Sequence, residues 1–383
     1  MKQWIVGWLT CLAVAGAVGQ ALQPPEVAVK SFVLIEIGSG QVLAERQADA
    51  RVDPASLTKL MTAWLVFDAL RQRKLALDQV LTVSPRAWAE RKGGGSLMFI
   101  DTTMKPRVEE LIKGMVVVSG NDAAVALAEG VGGSLETFVA AMNRQAQAWG
   151  LANTQFTNVT GLTEAGHYSS ARDLVRIARH VLEDFPEQYA SYYSQKQFAF
   201  NNIRQDNRNL LLGRDPSVDG MKTGYTDAAG YCLVASAQRD FPNGKRRMLS
   251  VVLGAASRDA RATESQKLLN WGFLAWDSVR LIEPGKPVAS VPVWKGQVPQ
   301  AMLGVPAGAV VSVPKGEASK IKTSIERTDP LVAPLAKGQR VGSLKVTAST
   351  GAVIATWPLL VLEPVEQAGL LGRAWDSIRL WIK

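Results

Sequence analysis

Hydrophobic and polar positions divide the chain into stretches of different period. Ser31 to Ile37 alternates in a β-rich run, Gly38-Ser39-Gly40 breaks it, and Gln41 to Glu45 resumes it, which predicts a hairpin. Leu57, Leu60, Met61, Trp64 and Leu65 then recur at i, i+3, i+4, i+7 and i+8, the period of a helix with one buried face. Asp53-Pro54 just ahead supplies an N-cap and a proline at the first helical position. The same period predicts helices over 108–118, 122–129, 135–149 and 171–182. After Asp215 the pattern returns to strands, at Val218 to Tyr225, Tyr231 to Ala237 and Met248 to Leu253, with turn residues between them. These read as an antiparallel meander, followed by a helix from Arg258 to Trp276. Strands at both ends with helices between predict an α/β (α+β) domain built on an antiparallel sheet.

Near Glu283-Pro284-Gly285 the chain becomes rich in Val, Pro, Gly and Thr, with short alternating runs such as Ile321-Thr323-Ile325, Val341 to Val346 and Val353 to Trp357. This predicts a small all-β domain. In the tail, Leu370, Leu371, Ala374, Trp375, Ile378, Trp381 and Ile382 share one helical face, while Arg373, Asp376, Arg379 and Lys383 lie elsewhere. A short helix with two tryptophans and basic residues suits a membrane interface and is too short and too charged to span one; the competing reading is a helix docked on its own protein. At the other end, Lys2 precedes an apolar run from Trp4 to Val18, and Gly19-Gln20-Ala21 offers small residues for cleavage after Ala21, which reads as an export signal. The expected organisation is therefore a signal at 1–21, a catalytic domain at 24–280, a β-rich domain at 285–364 and an amphipathic helix at 366–383.

Composition narrows the chemistry. The net charge of +9 comes from scattered Lys and Arg, with no block of like charge, so nucleic acid is not the expected partner. The export signal removes Cys11 and leaves Cys232 without a partner, so no internal disulfide is expected. The two histidines, His167 and His180, form no metal-ligand spacing, and neither a metal nor a cofactor is expected. A histidine general base has little support: His180 falls inside a helical pattern, and His167 falls in a loop.

Ser56-Leu57-Thr58-Lys59 offers an alternative. At a helix start, i and i+3 share a face, which sets the Ser56 hydroxyl beside the Lys59 amine. A lysine whose pKa is lowered by burial and nearby cations can serve as a base. Ser312-Val313-Pro314-Lys315 also matches this spacing, but Pro314 and its β-rich surroundings argue against a helix there. Ser119-Gly120-Asn121 falls in a turn between helical segments, and Lys222-Thr223-Gly224 ends a strand. Serine with lysine, serine with asparagine, and lysine with threonine and glycine, in this order, make up the SxxK/SxN/KTG active site.

On these residues the chain resembles the low-molecular-mass penicillin-binding proteins of the D-alanyl-D-alanine carboxypeptidase type. The resemblance extends through Pro54 to Thr62, Ser119 to Ala124, Asn158 to Leu162, Asp219 to Gly224, and Arg261 and Glu264 ahead of Leu268 to Phe273. It implies that Ser56 attacks the carbonyl between two D-alanines, that Lys59 takes its proton, and that Ser119 and Lys222 relay a proton to the leaving amine. Asn121 would hold the substrate amide. The oxyanion hole would be the N–H groups of Ser56 and of Tyr225, which follows Gly224. Lys222, Thr223 and Arg261 would receive the terminal carboxylate. The implied partners are peptidoglycan peptide stems, β-lactam antibiotics and, through the tail, the periplasmic side of the inner membrane. By position the glycine-rich segment Arg91 to Ser96 resembles a mobile loop bordering the family's active site.

Three rivals share the motifs. A class A β-lactamase would need a glutamate for deacylation, and no Glu-x-x-Leu-Asn lies between Asn121 and Lys222; Glu164 stands in a different context. A transpeptidase or endopeptidase would use the same acyl-enzyme with another acceptor or substrate. A binding module without turnover is the third.

Overall fold

The computed structural model describes residues 22–382. The predicted export signal lies outside the described residues, as do Lys383 and the side chain of Ile382.

The first part of the chain carries seven strands: β1 (Ser31–Glu36), β2 (Val42–Arg46), β3 (Gln197–Phe200), β4 (Ile203–Asp206), β5 (Val218–Thr226), β6 (Gly230–Phe241) and β7 (Gly244–Ala255). Its helices are α1 (Lys59–Arg71), α2 (Pro85–Ala89), α3 (Val108–Val117), α4 (Asn121–Gly132), α5 (Leu135–Ala148), α6 (Ala171–Asp184), α7 (Pro186–Tyr192), α8 (Leu211–Arg214) and α9 (Arg258–Ala275). The predicted hairpin, meander and long helices are all present, with ends displaced by a few residues. β3 and β4 form a separate hairpin.

The main sheet is antiparallel, in the order β2-β1-β7-β6-β5. It is covered on both faces. Val33 and Ile35 of β1, Val234 of β6 and Leu249 and Val251 of β7 face the helical cluster built on α1 and α3 to α6. Phe32, Leu34, Leu233, Ala235, Met248 and Val252 face the opposite core, which α9 closes with Leu268, Leu269 and Phe273. This explains a difference from the sequence reading: β1 is buried at every position rather than on alternate ones, because a sheet covered on two sides leaves no wet face. β5 is an edge strand, and its free edge borders the site described below.

Helix α1 also departs from expectation. It begins at Lys59, and residues Ala55–Thr58 ahead of it form a 3₁₀ turn, with no side-chain cap. Neighbours α3, α4, α5 and α6 surround it, so it is buried on nearly all sides rather than on one stripe. Leu60, Met61, Val66 and Phe67 are fully buried there, each worth about 1.5–3 kcal/mol relative to exposure. α6 and α9 start as their sequences suggest, with the Ser170 and Ser257 side chains accepting from the N–H groups of Asp173 and Ala260.

The remainder is nearly all strand: β8 (Trp276–Ile282), β9 (Pro287–Trp294), β10 (Gln300–Gly304), β11 (Ala309–Pro314), β12 (Lys322–Arg327), β13 (Leu331–Val332), β14 (Arg340–Thr347) and β15 (Val353–Val361), then helix α10 (Leu370–Ile382). One sheet runs β12-β14-β15-β10-β9-β13, and β11 pairs with β8. The second Ser-x-x-Lys sequence falls here, off any helix. Ser312 is buried in β11, where its backbone N–H and carbonyl bond the Gln41 side chain and its hydroxyl bonds that of Ser39. It joins the two parts of the protein.

Helix α10 is docked on its own protein through its polar side. Asp376 accepts from the Lys295 backbone N–H at 2.6 Å, and the Arg379 guanidinium lies over the Trp294 ring. The polar side therefore docks on the β-rich region, while Leu371 and Trp381 are each 89% exposed. Among the described residues no single helix is long and apolar enough to cross a membrane.

Candidate active site

The 55–58 turn places the Ser56 side chain at a cleft of about 300 Å³. Ala55, just before it, has φ +48°, which turns the chain sharply. The cleft is lined by Ser56, Ser119, Asn121, Thr223, Gly224, Tyr225 and Arg261, together with Gly94 to Ser96 and Arg208. Segments from all three motifs thus meet there with Arg208 and Arg261, and the glycine-rich segment forms part of the wall.

Lys59 lies one helical turn beyond Ser56 and is 1% exposed. Its Nζ is 3.0 Å from Ser56 Oγ, 2.7 Å from Asn121 Oδ1 and 2.7 Å from the Thr160 carbonyl. Of these three partners only Ser56 has a hydrogen to give. A neutral Lys59 amine would therefore donate to Asn121 and Thr160 and turn its lone pair to the Ser56 hydroxyl. Burial supplies the neutral amine, pushing the Lys59 pKa down to about 7; the carboxylates of Glu90 and Asp122 oppose that shift and Arg208 reinforces it.

Ser119 occupies a left-handed conformation, φ +64°, between α3 and α4. Strain of this kind in a non-glycine residue costs about 1–3 kcal/mol and is held by the surroundings. Here Gly120 N–H donates to the Gly114 carbonyl, and Lys222 Nζ donates to Ser119 Oγ at 2.8 Å. Asp122 fixes the other side of the turn, accepting from the N–H groups of Met98, Phe99, Ile100 and Ala123.

Lys222 projects from edge strand β5, is 3% exposed, and also bonds the Thr223 carbonyl. Burial and the cations of Lys59, Arg208 and Arg261 hold its pKa well below the usual lysine range. Gly224 is where β5 touches the turn that carries Ser56. A Cβ there would lie 3.2 Å from the Pro54 carbonyl and 3.2 Å from Ser56 N, so a side chain would press on the backbone of Ser56. Tyr225 is 48% exposed, with its ring against Tyr231 and its hydroxyl on Asp227. Arg261 donates to the Gly224 and Arg208 carbonyls, and burial pushes its pKa down to about 10.

All nine residues named from the sequence gather at this cleft or directly beneath it. Two contributors were missed. Arg208 lines the cleft and reaches Ser96 Oγ and the Val118 carbonyl; its loop carries no pattern that marks it. Thr160 acts through a backbone carbonyl, which sequence cannot single out, although its Asn158-to-Leu162 neighbourhood was part of the resemblance.

The histidines stand apart from Ser56. His167 Nδ1 accepts from the Thr157 N–H at 3.0 Å, so Nε2 carries the hydrogen and bonds Thr58 Oγ1 at 2.8 Å. Burial pushes its pKa down to about 4. His180 stacks on Trp149 and bonds Asp184. His167→Ala is expected to lower stability by about 1–3 kcal/mol through the lost buried hydrogen bonds, with the pH profile of acylation unmoved; denaturant unfolding and penicillin labelling at several pH values check both. Glu164 accepts from Thr157 and Asn158 and faces a separate cavity, not the cleft.

Comparison with known proteins follows the same lines. The family described as D-alanyl-D-alanine carboxypeptidase matches residues 18–257, and the penicillin-binding protein 5 C-terminal domain matches residues 276–367. The D-alanyl-D-alanine carboxypeptidase DacC of Escherichia coli K12 is 42% identical over 371 residues, covering 96% of this chain and 91% of that protein. The crystal structure of penicillin-binding protein 5 from Haemophilus influenzae superposes with a TM-score of 0.85 at 41% identity, covering 90% of this chain and 99% of that one. Penicillin-binding protein D2 from Listeria monocytogenes, solved in an ampicillin-bound form, matches with a TM-score of 0.58 at 32% identity over 66% of this chain and all of that one. With both matched regions in place and the α/β and β-rich parts folded as in these relatives, this chain belongs to the D-alanyl-D-alanine carboxypeptidase family.

Proposed function

We propose that the chain removes the terminal D-alanine from peptides ending in D-Ala-D-Ala through an acyl-enzyme on Ser56. The observation that carries this reading is the buried Lys59 amine 3.0 Å from Ser56 Oγ, with its other two partners unable to donate. Ser56 Oγ attacks the carbonyl carbon between the two D-alanines as Lys59 Nζ takes the hydroxyl proton. The N–H groups of Ser56 and Tyr225 receive the developing oxyanion; such donors act on charge present only in the transition state. As the C–N bond breaks, Ser119 gives its proton to the leaving amine and accepts one from Lys222, which it already bonds, and the proton that Lys59 took from Ser56 replaces the one Lys222 gave, so that both lysines end as they began. Lys222, Thr223 and Arg261 form the end of the cleft that takes the terminal carboxylate, with Arg208 adding positive charge beside them. Asn121 is bound to Lys59 through Oδ1, which leaves its amide N–H₂ for the substrate peptide. Water then hydrolyses the ester.

A β-lactam presents a strained amide and a nearby carboxylate to the same groups and would acylate Ser56. Placement of Glu164 outside the cleft speaks against the class A β-lactamase route to rapid deacylation. The test is release of one D-alanine from a pentapeptide ending in D-Ala-D-Ala, followed by mass spectrometry with Ser56→Ala as control. Release that depends on Ser56 supports the reading; release that persists in Ser56→Ala refutes it. Penicillin labelling of Ser56 with no release would move the assignment to a transpeptidase, an endopeptidase or a binding module.

We propose the site of action from the sequences near the two ends of the chain. Residues 1–21 read as an export signal, and α10 leaves Leu370, Leu371, Trp375 and Trp381 exposed; both support an enzyme that works on the periplasmic side of the inner membrane, held at its surface. A helix of 13 residues, about 20 Å long, lies in an interface rather than crossing it. Deleting residues 366–383 is expected to weaken binding to vesicles containing anionic lipid at least tenfold, with D-alanine release in solution unchanged. Equal sedimentation of the two forms with vesicles would exclude the helix as the anchor.

A further inference from the structure

A buried carboxylate beside the site is not used by the mechanism above. Glu90 follows α2 in a 3₁₀ turn, Glu90–Lys92, and is 3% exposed. One of its oxygens pairs with Arg86; the other, Oε2, is buried without a hydrogen-bond partner among the described residues. The Arg86 side chain is 54% exposed. Arg86 lines a cavity behind the cleft together with Asn158, Val159 and Thr160, and the Thr160 carbonyl is one of the three Lys59 partners. The turn itself packs on α4, whose first residue, Asn121, is another. Its carbonyl accepts from Gly93 at 3.0 Å, which starts the glycine-rich wall of the cleft. The pair thus reaches the surroundings of two of the three Lys59 partners, Thr160 across the shared cavity and Asn121 through the packing of the turn on α4.

We propose that Arg86 and Glu90 form a positioning element for the catalytic lysine, in which the Glu90 carboxylate sets how firmly Lys59 keeps its proton and Arg86 sets how much of that charge Lys59 feels. This deepens the lysine-base reading and rests on it. The charges around Lys59 are few. Glu90 comes from the turn after α2, Asp122 from α4, Arg208 from the loop before α8, and Lys222 from β5. Asp122 is saturated by four backbone N–H groups. Glu164, from the 157–164 segment, is bound to Thr157 and Asn158. Arg91 and Lys92 turn away over Trp88. Among the charges named, Glu90 has the largest effect on Lys59 and favours its charged form. Too little of that field leaves the lysine neutral but a weaker base; too much keeps it protonated and idle.

The experiment measures the acylation rate constant with a fluorescent penicillin from pH 5 to 9 for the full chain and for Glu90→Gln and Arg86→Gln. Glu90→Gln is expected to move the acid limb down by about half to one pH unit, and Arg86→Gln to move it up, as for a partly paired charge at an effective dielectric near 20. Opposite shifts with thermal midpoints close to the parent support the proposal. An unmoved limb, or two shifts in one direction, overturns it. Should Glu90→Gln fail to fold, the half-exposed Arg86→Gln decides alone: no upward shift overturns the proposal. Lys59→Met separates the two layers. If that variant acylates as fast as the parent, the lysine-base reading itself fails; if it is inactive while neither limb moves, only the role of Glu90 fails.

Discussion

Replacing Lys59 with methionine is expected to slow acylation of Ser56 by roughly 10²–10⁴-fold, the range for loss of a positioned general base, while the protein stays folded. Methionine keeps the apolar stem that packs within α1 and removes only the amine. The loss follows from the geometry: among the described residues no other group that accepts protons in the working pH range bonds Ser56 Oγ, and His167 is turned to Thr58 and Thr157. The same account fixes the sign of the pH dependence. Below about 7 Lys59 is an ammonium ion and cannot take a proton; above it the amine is free. Acylation by the parent enzyme should therefore rise as pH increases through about 7, and the limb should vanish in Lys59→Met. Time courses of fluorescent penicillin labelling give both results. A variant that labels at the parent rate, or keeps the limb, would show that another group is the base.

Gly161→Ala should be the most damaging substitution outside the chemical groups. Gly161 has φ +85°, and a Cβ there would fall 1.8 Å from the Ala55 carbonyl oxygen and 2.8 Å from Thr58 Oγ1. Both belong to the turn that carries Ser56, and both are too firmly held to yield cheaply. Gly161 also follows Thr160, whose carbonyl holds Lys59. The alanine therefore strains its own backbone and pushes nucleophile and base apart. We expect a loss of about 2–4 kcal/mol in stability, seen as a fall in thermal midpoint of roughly 5–15 °C. A displacement near 1 Å should also cut acylation by about 10²-fold. Gly166→Ala is the control. Its φ is +80°, but a Cβ meets only Thr157 Cγ2 at 3.7 Å, so it should cost the left-handed strain of about 1–2 kcal/mol and leave acylation intact. Equal behaviour of the two variants would remove the steric argument.

The sequence made some of this legible and not the rest, for physical reasons. Period and turn residues located the strands and long helices because each buries a face whose repeat is written in the chain. They misplaced the start of α1, since Asp53-Pro54 looks like a cap and the actual entry is a 3₁₀ turn enforced by contacts with Gly161 and Gly224, far away in sequence. They read β1 as one-sided because a covering helix more than 200 residues later, α9, supplies its second core. The candidate site groups were readable because the proposed chemistry demands particular side chains: Ser56 with Lys59 one turn apart, Ser119 with Asn121, and Lys222 with Thr223 and Gly224. Thr160 was not, because any residue has a carbonyl. Arg208 and Glu90 were not, because an isolated charge in a loop carries no period; only the fold shows that one lines the cleft and the other is buried behind it. Even the decoy at Ser312 was resolved by its surroundings, as a strand residue that joins the two parts of the protein.

Intact-protein and peptide mass spectrometry after brief exposure to benzylpenicillin tests the central claim most directly. The account predicts one penicilloyl adduct per chain, carried by the peptide containing Ser56, and none in Ser56→Ala. An adduct on any other residue, or a Ser56→Ala protein that is still labelled, would contradict it.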